Sequence, residues 1–197
     1  MAPSQGRRHD AQAEDAGMNG LTAAVVGAVL LGALSTAYDF VWATWIPRHR
    51  PVYGLVHGMT LLSAVGAVLG WKAHRVLVGL LGGAIAGLVA AASFYAMAPL
   101  LHMAAMFPAW MLLWLMFAAL NNVLHAQPPI SMEMLVRGGA AAFVSGAAFW
   151  MISGIWLEHR PGGPNYLWNF LCWTFAYFPG FAALLLSRTP EASRGRL

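Results

Sequence analysis

The sequence predicts an all-α protein: a polytopic bundle of six transmembrane helices joined by short loops. Three observations carry this. Apolar residues make up 59% of the 197-residue chain and charged residues only 9%, against about 25% charge in a soluble domain. Several apolar runs exceed about 18 residues, enough to cross a hydrocarbon core about 30 Å thick. The segments between the runs are short and hold Pro, Gly, Arg and His, the residues that stop helices and sit at membrane surfaces.

Residues 1–20 are polar and small, with mixed charges, and are expected to form a disordered cytoplasmic tail. Residues 21–187 form the transmembrane domain, and 188–197 a basic cytoplasmic tail. Helix 1 is expected over 21–46. That run is longer than the apolar core of a secretory signal, so it is expected to be retained. A basic turn follows, Pro47-Arg48-His49-Arg50-Pro51. Helix 2 is expected over 53–71, ending at Trp71-Lys72-Ala73-His74-Arg75, an interfacial basic stop.

Helix 3 is expected over 76–98. Gly79, Gly83, Gly87 and Ala91 recur every fourth residue, which cuts a groove where another helix can approach closely. That face is a candidate docking site for a partner helix, within this chain or from an accessory complex. An apolar turn from Pro99 to Pro108 holds His102. Helix 4 is expected over 107–125, capped by Asn121, Asn122 and His125 and broken by Gln127-Pro128-Pro129. Residues 130–137 form the longest connection. Helix 5 is expected over 138–157. Helix 6 is expected over 165–187, kinked at Pro179-Gly180.

The net charge of +4 comes from cations scattered through turns and tails, with no basic stripe, so nucleic acid is not an expected partner. With six spans, Arg7, Arg8, Lys72, Arg75, Arg137, Arg188, Arg194 and Arg196 share the side of the termini, eight cations. Arg48, Arg50 and Arg160, three cations, face the other side. The positive-inside rule then places both termini in the cytoplasm of a multi-pass inner (plasma) membrane protein. Trp42, Trp45, Trp110, Trp156 and Trp168 read as an aromatic belt at the opposite surface. Trp45-Ile46-Pro47-Arg48-His49-Arg50-Pro51 also echoes Trp156-Leu157-Glu158-His159-Arg160-Pro161, a faint parallel repeat of helices 1–2 and 5–6.

Asp39 is the only carboxylate within an apolar stretch, eight residues before Pro47; His57 lies six residues after Pro51. Across a helical hairpin the two share a depth of roughly 10 Å below the turn. An ionisable group in a span is costly and normally faces the interior with a partner. Asp39 and His57 are therefore the leading candidates for a site, as an ion pair, a proton relay or a ligand anchor; a structural polar contact is the plainer alternative. His102, also toward the outer surface, joins them in a haem or redox reading. Trp42 and Asn169 complete the expected ligand-binding set. Met97, Met103, Met106, Met111 and Met116 suit an adaptable apolar cavity or ordinary packing. Cys172 is the single cysteine, which excludes an internal disulfide, and its apolar neighbours point to a buried thiol. The chain holds no Gly-x-Ser-x-Gly elbow, His-Glu-x-x-His or phosphate loop. No residue is assigned as a metal ligand, and the sequence does not identify a cofactor.

The turn Trp45-Ile46-Pro47, the run Gly66 to Arg75 and the final helix with Trp168, Trp173, Gly180 and Arg188 resemble the Insig family of sterol- and diacylglycerol-responsive membrane proteins. The matches cover about a third of the chain, and the basic first turn and apolar 99–108 turn depart from that family. The resemblance implies a non-enzymatic bundle with a membrane-embedded lipid cavity; no functional residue carries over. The expected function is binding of a lipid or other apolar ligand, with a small membrane enzyme and an accessory subunit as alternatives.

Overall fold

The computed structural model describes residues 5–45, 51–153 and 165–186, with side chains among them except at 5–19, 42–44, 53, 103 and 152–153. Six α-helices follow in order: α1 (Gln5–Trp45), α2 (Pro51–Lys72), α3 (Val76–Leu101), α4 (Met106–Leu124), α5 (Met132–Ser153) and α6 (Tyr166–Leu185). There is no strand among the described residues. The chain is an integral membrane protein: α1 to α5 each contain a stretch long and apolar enough to cross a bilayer, at Gly20–Val41, Gly54–Lys72, Val76–Leu101, Met106–Leu124 and Met132–Met151. Their outer faces leave Leu30, Leu81, Ile85, Phe143 and Val144 open. In lipid such side chains meet acyl chains that are as apolar as they are. At 20 residues, α6 has the length of a span but carries Asn169, Pro179 and several Trp and Tyr.

The helices form a ring in the order α1, α6, α5, α4, α3, α2, with α1 touching α2 only slightly. The hairpin of the first two helices, which carries Asp39 and His57, is thus the loosest seam of the ring. Its turn, 46–50, and the matching turn within 154–164, which together carry the repeat, lie outside the described residues.

Three boundaries differ from expectation. α1 begins at Gln5, so residues 5–20 of the stretch expected to be a disordered tail are helical here; their Ala, Gln, Arg and Glu are good helix formers. The turn expected over 99–108 shrinks: α3 runs on to Leu101, with Pro99 in its last turn, and a single 3₁₀ turn (His102–Ala105) leads directly into α4. α5 begins six residues earlier than expected. The Ser131 hydroxyl accepts the Met134 N–H at 3.1 Å and caps the helix, and Glu133 pairs with Arg137 one turn on, at 2.6 Å. The signal was Ser131, a capping residue two positions after Pro129. Ser131→Ala is expected to destabilise the protein by about 1 kcal/mol, read as a small fall in melting temperature in detergent.

The small-residue stripe of α3 is occupied. Gly79, Gly83 and Gly87 are buried against Gly58, Leu62, Gly66 and Gly70 of α2. The face read as a docking site for a partner helix, within this chain or from a complex, is therefore filled by this chain's own α2. The expected cap of α4 is present: His125 Nδ1 lies 2.8 Å from the Asn121 carbonyl, and the Asn122 amide donates to the Pro128 carbonyl at 3.0 Å. Arg75, in the turn after α2, adds a donor to the Val123 carbonyl at 3.1 Å, a cation on the negative end of α4.

The core is aromatic. Trp110, Trp114 and Phe117 of α4, Phe149 of α5 and Tyr177 and Phe181 of α6 are all buried. Trp110 stacks on Phe149 with centroids 5.0 Å apart, and Tyr177 stacks on the half-buried Trp173 at 5.8 Å. Trp110 was expected in the interfacial belt; it lies in the core instead because Ser145 satisfies its indole N–H at 3.0 Å. Trp45 and Trp168 are exposed, as a belt requires. The Trp42 side chain and all of Trp156 lie outside the described residues.

Candidate functional site

Two polar pairs cross the seam between α1 and α6. Ser35 and Asp39 stand one turn apart on α1, and Trp173 and Tyr177 stand one turn apart on α6. The helices run antiparallel, so the pairs meet in reverse order. Trp173 Nε1–H donates to Asp39 Oδ2 at 2.7 Å, and the Ser35 and Tyr177 hydroxyls lie 3.0 Å apart. A third link binds α4, α5 and α6: Trp110 donates to the Ser145 hydroxyl, which donates to the Ala176 carbonyl. In a medium without water, such bonds satisfy groups that would otherwise be costly to bury.

Above this network lies a cavity of about 300 Å³. α1 contributes Asp39; α2 contributes Gly54, His57, Gly58 and Leu62. From α3 come Gly87, Ala90, Ala91, Phe94 and Tyr95, and from α4 Met106, Ala109, Trp110 and Leu113. The lining is graded. Leu62, Gly87, Ala90, Ala109, Trp110 and Leu113 are buried and make the floor, while Asp39, His57, Phe94, Tyr95 and Met106 are half-buried and make the rim. The rim residues come from the end of α1, the start of α2, the end of α3 and the start of α4. The mouth therefore lies at one end of the bundle. From Gly54 to Leu62 the cavity follows α2 for eight residues, about 12 Å.

Small residues make the space. A side chain at Gly54 would strike the Tyr95 hydroxyl, and Gly58 lets α2 approach the backbone of α3 at Gly87. His57 is braced by Tyr38, the neighbour of Asp39, with ring centroids 5.1 Å apart and an edge-on geometry. Asp39 and His57, paired by depth in the sequence, thus face one cavity in the fold.

The remaining expected site residues fall elsewhere. His102 is exposed in the 3₁₀ turn, in a left-handed conformation with φ of 49°, and is not part of the lining. Asn169 is half-buried in the first turn of α6 and also stands outside the lining. The polar start of α6 is engaged by its own first turn and by Phe40 of α1. Asn165 caps the helix by accepting the Trp168 N–H at 3.0 Å, and Tyr166 packs edge-on against Phe40 at 5.4 Å. The Trp42 side chain lies outside the described residues. The Met103 side chain lies outside the described residues; of Met97, Met106, Met111 and Met116, Met106 alone is among the lining residues. Cys172 is buried.

The sequence reading missed Trp173, Ser35, Tyr177, Trp110, Phe94 and Tyr95. A signal existed in the one-turn spacing of Ser35 with Asp39 and of Trp173 with Tyr177. What it lacked was the pairing of α1 with α6, across 134 residues in the case of Asp39 and Trp173.

Among the described residues no group of three or more His, Cys, Asp or Glu could hold a metal ion. In comparisons with protein families, characterised proteins and solved structures, the chain matches none. The resemblance to the Insig family therefore rests only on the short stretches quoted above.

Proposed function

We propose that this protein binds a small lipid or other apolar ligand inside the membrane, in the cavity between α2, α3 and α4, with Asp39 and His57 as its polar anchor. The observation that carries this reading is the cavity itself: a buried apolar floor beneath a rim that holds a carboxylate and an imidazole. Ligand sites are commonly apolar concavities of about 300–1,000 Å³ in which a few polar groups set orientation. In this reading α6 is the sixth span and both termini lie in the cytoplasm of the inner (plasma) membrane, following the eight-to-three cation asymmetry. The mouth then opens toward the outer leaflet. The haem or redox reading needed His57 and His102 together, and the docking reading needed the α3 stripe; the placement of His102 and the packing of α2 favour neither.

The test is purification in mild detergent followed by mass spectrometry of the extracted small molecules. One species retained near one per chain is expected. Met106→Trp, which fills the mouth from a half-buried rim position, is expected to lose that species while melting at the wild-type temperature. Equal retention in Met106→Trp, or no retained species in either protein, would sink the reading.

A further inference from the structure

We propose a second binding site, for an anionic phospholipid, at the end of the bundle away from the cavity mouth. Its headgroup meets Lys72 and Arg75, and an acyl chain lies along α3. The mouth is built from the end of α1, the start of α2, the end of α3 and the start of α4, so the α2–α3 turn stands at the other end. The proposal does not rest on the cavity. The turn is a firm mount for its cations. The Arg75 N–H donates to the Gly70 carbonyl at 2.7 Å and the His74 N–H to the Trp71 carbonyl at 3.1 Å, with His74 left-handed at φ 56°. This paired closure ends a helix in one defined geometry. Beneath it Gly70 packs directly on Gly79 of α3, so the two helix ends cannot splay.

The Arg75 guanidinium is itself held, its Nη1 donating to the Val123 carbonyl at 3.1 Å and reaching that of Leu124 at 3.5 Å. Nε and Nη2 keep their donors for an anion. Lys72 is exposed three residues away, and neither cation has a carboxylate partner among the described residues. Of the acids whose side chains are described, Asp39 lies toward the far end and Glu133 pairs with Arg137 at 2.6 Å. Trp71 is exposed beside them, and its indole N–H has no acceptor among the described residues; at a membrane surface such a group donates to lipid ester oxygens. Below the turn, Leu77, Leu81, Ile85 and Leu88 are exposed on one ridge of α3. From Leu77 to Leu88 that ridge runs about 16 Å, close to the hydrocarbon depth of one leaflet, about 15 Å. Cations, indole and ridge together match a phosphate, an ester and an acyl chain in that order. A phosphocholine head carries its own ammonium and gains less from the two cations, and a free phosphate gains nothing from the ridge.

The experiment is native mass spectrometry of the full chain, released from maltoside detergent containing equal amounts of dioleoylphosphatidylglycerol and dioleoylphosphatidylcholine. Wild type is expected to retain the anionic lipid about tenfold over the zwitterionic one, since a cation beside an anionic headgroup is worth about fivefold and Arg75 shares its charge with the end of α4. Lys72→Gln should cut that preference about fivefold while melting with wild type, because the side chain is exposed. Arg137→Gln is the control: it lowers the net charge by the same amount at a position outside the site, and should keep the preference. Excess glycerol 3-phosphate should not displace the lipid. No preference in wild type, or a preference that Lys72→Gln leaves intact, would overturn the proposal. An equal loss in Arg137→Gln would overturn it in favour of net charge alone, and displacement by glycerol 3-phosphate would overturn it in favour of a free phosphate.

Discussion

Gly66→Leu is expected to abolish the folded bundle, with a cost of more than about 3 kcal/mol. A Cβ at this position would run into the Gly79 carbonyl oxygen and come within 2.8 Å of Gly83 Cα and 2.9 Å of its nitrogen. These neighbours are backbone atoms, so no rotamer change can relieve the overlap. The two helices would have to move apart along the whole stripe from Gly58 to Gly70. In lipid no hydrophobic force compensates for that separation, because close packing is itself what holds small-residue interfaces together. The check is the melting temperature and the size-exclusion profile in detergent. Gly139→Leu is the control, since nothing lies within 4 Å of a Cβ built there. If the Gly66 variant were monodisperse and melted with wild type, the packing of α2 on α3 described here would be refuted.

Gly180→Leu is the second large effect, at about 3 kcal/mol, the upper end for overpacking. Here the obstacle is the six-membered ring of Trp114, which a Cβ at Gly180 would overlap. Trp114 is fully buried. It is boxed by Phe117 at 5.8 Å, Phe181 at 5.9 Å and Trp110 at 6.4 Å between centroids. An indole so enclosed has nowhere to turn. Because the conflict is between two side chains, it can be reversed. Trp114→Leu alone should destabilise by leaving a cavity, yet combined with Gly180→Leu it should recover part of the loss. Strictly additive destabilisation in a double-mutant cycle of melting temperatures would show that the two positions do not touch.

These glycines illustrate how far the sequence could be read. The stripe of α3 was legible as a close-packing face from its four-residue spacing, but its partner was not. Gly58, Gly66 and Gly70 on α2 carry a matching spacing, visible only once the two helices are laid together. Gly180 read as half of a kink with Pro179; its closer role is to admit Trp114 of α4. Trp110 shows the same limit. Near a helix start, an indole fits an interfacial belt as well as a core, and the choice turns on whether an acceptor such as Ser145 is within reach. For the site, Asp39 and His57 could be paired by counting residues from one shared turn, because depth along a hairpin is a local property. Trp173 could not be found that way, since it reaches Asp39 from the far end of the chain.

What the sequence by itself determined is the set of helices and their medium. Apolar run length, the scarcity of charge, and the Pro, Gly and capping residues act within a few turns of chain, so five spanning segments and most helix ends follow from them. The order of helices around the ring was decided only by the tertiary structure, as were the parting of α1 from α2 and the cavity floor. The reason lies in the solvent. In water an apolar stripe marks the inner face of a helix, but lipid is as apolar as the core, and the outer faces of α1, α3 and α5 are as rich in Leu, Val and Ile as the inner ones. The inner face is then marked by close fit and by satisfied polar groups: Gly against Gly, Gly180 against Trp114, Asp39 against Trp173. Fit between distant segments is not written in either segment alone.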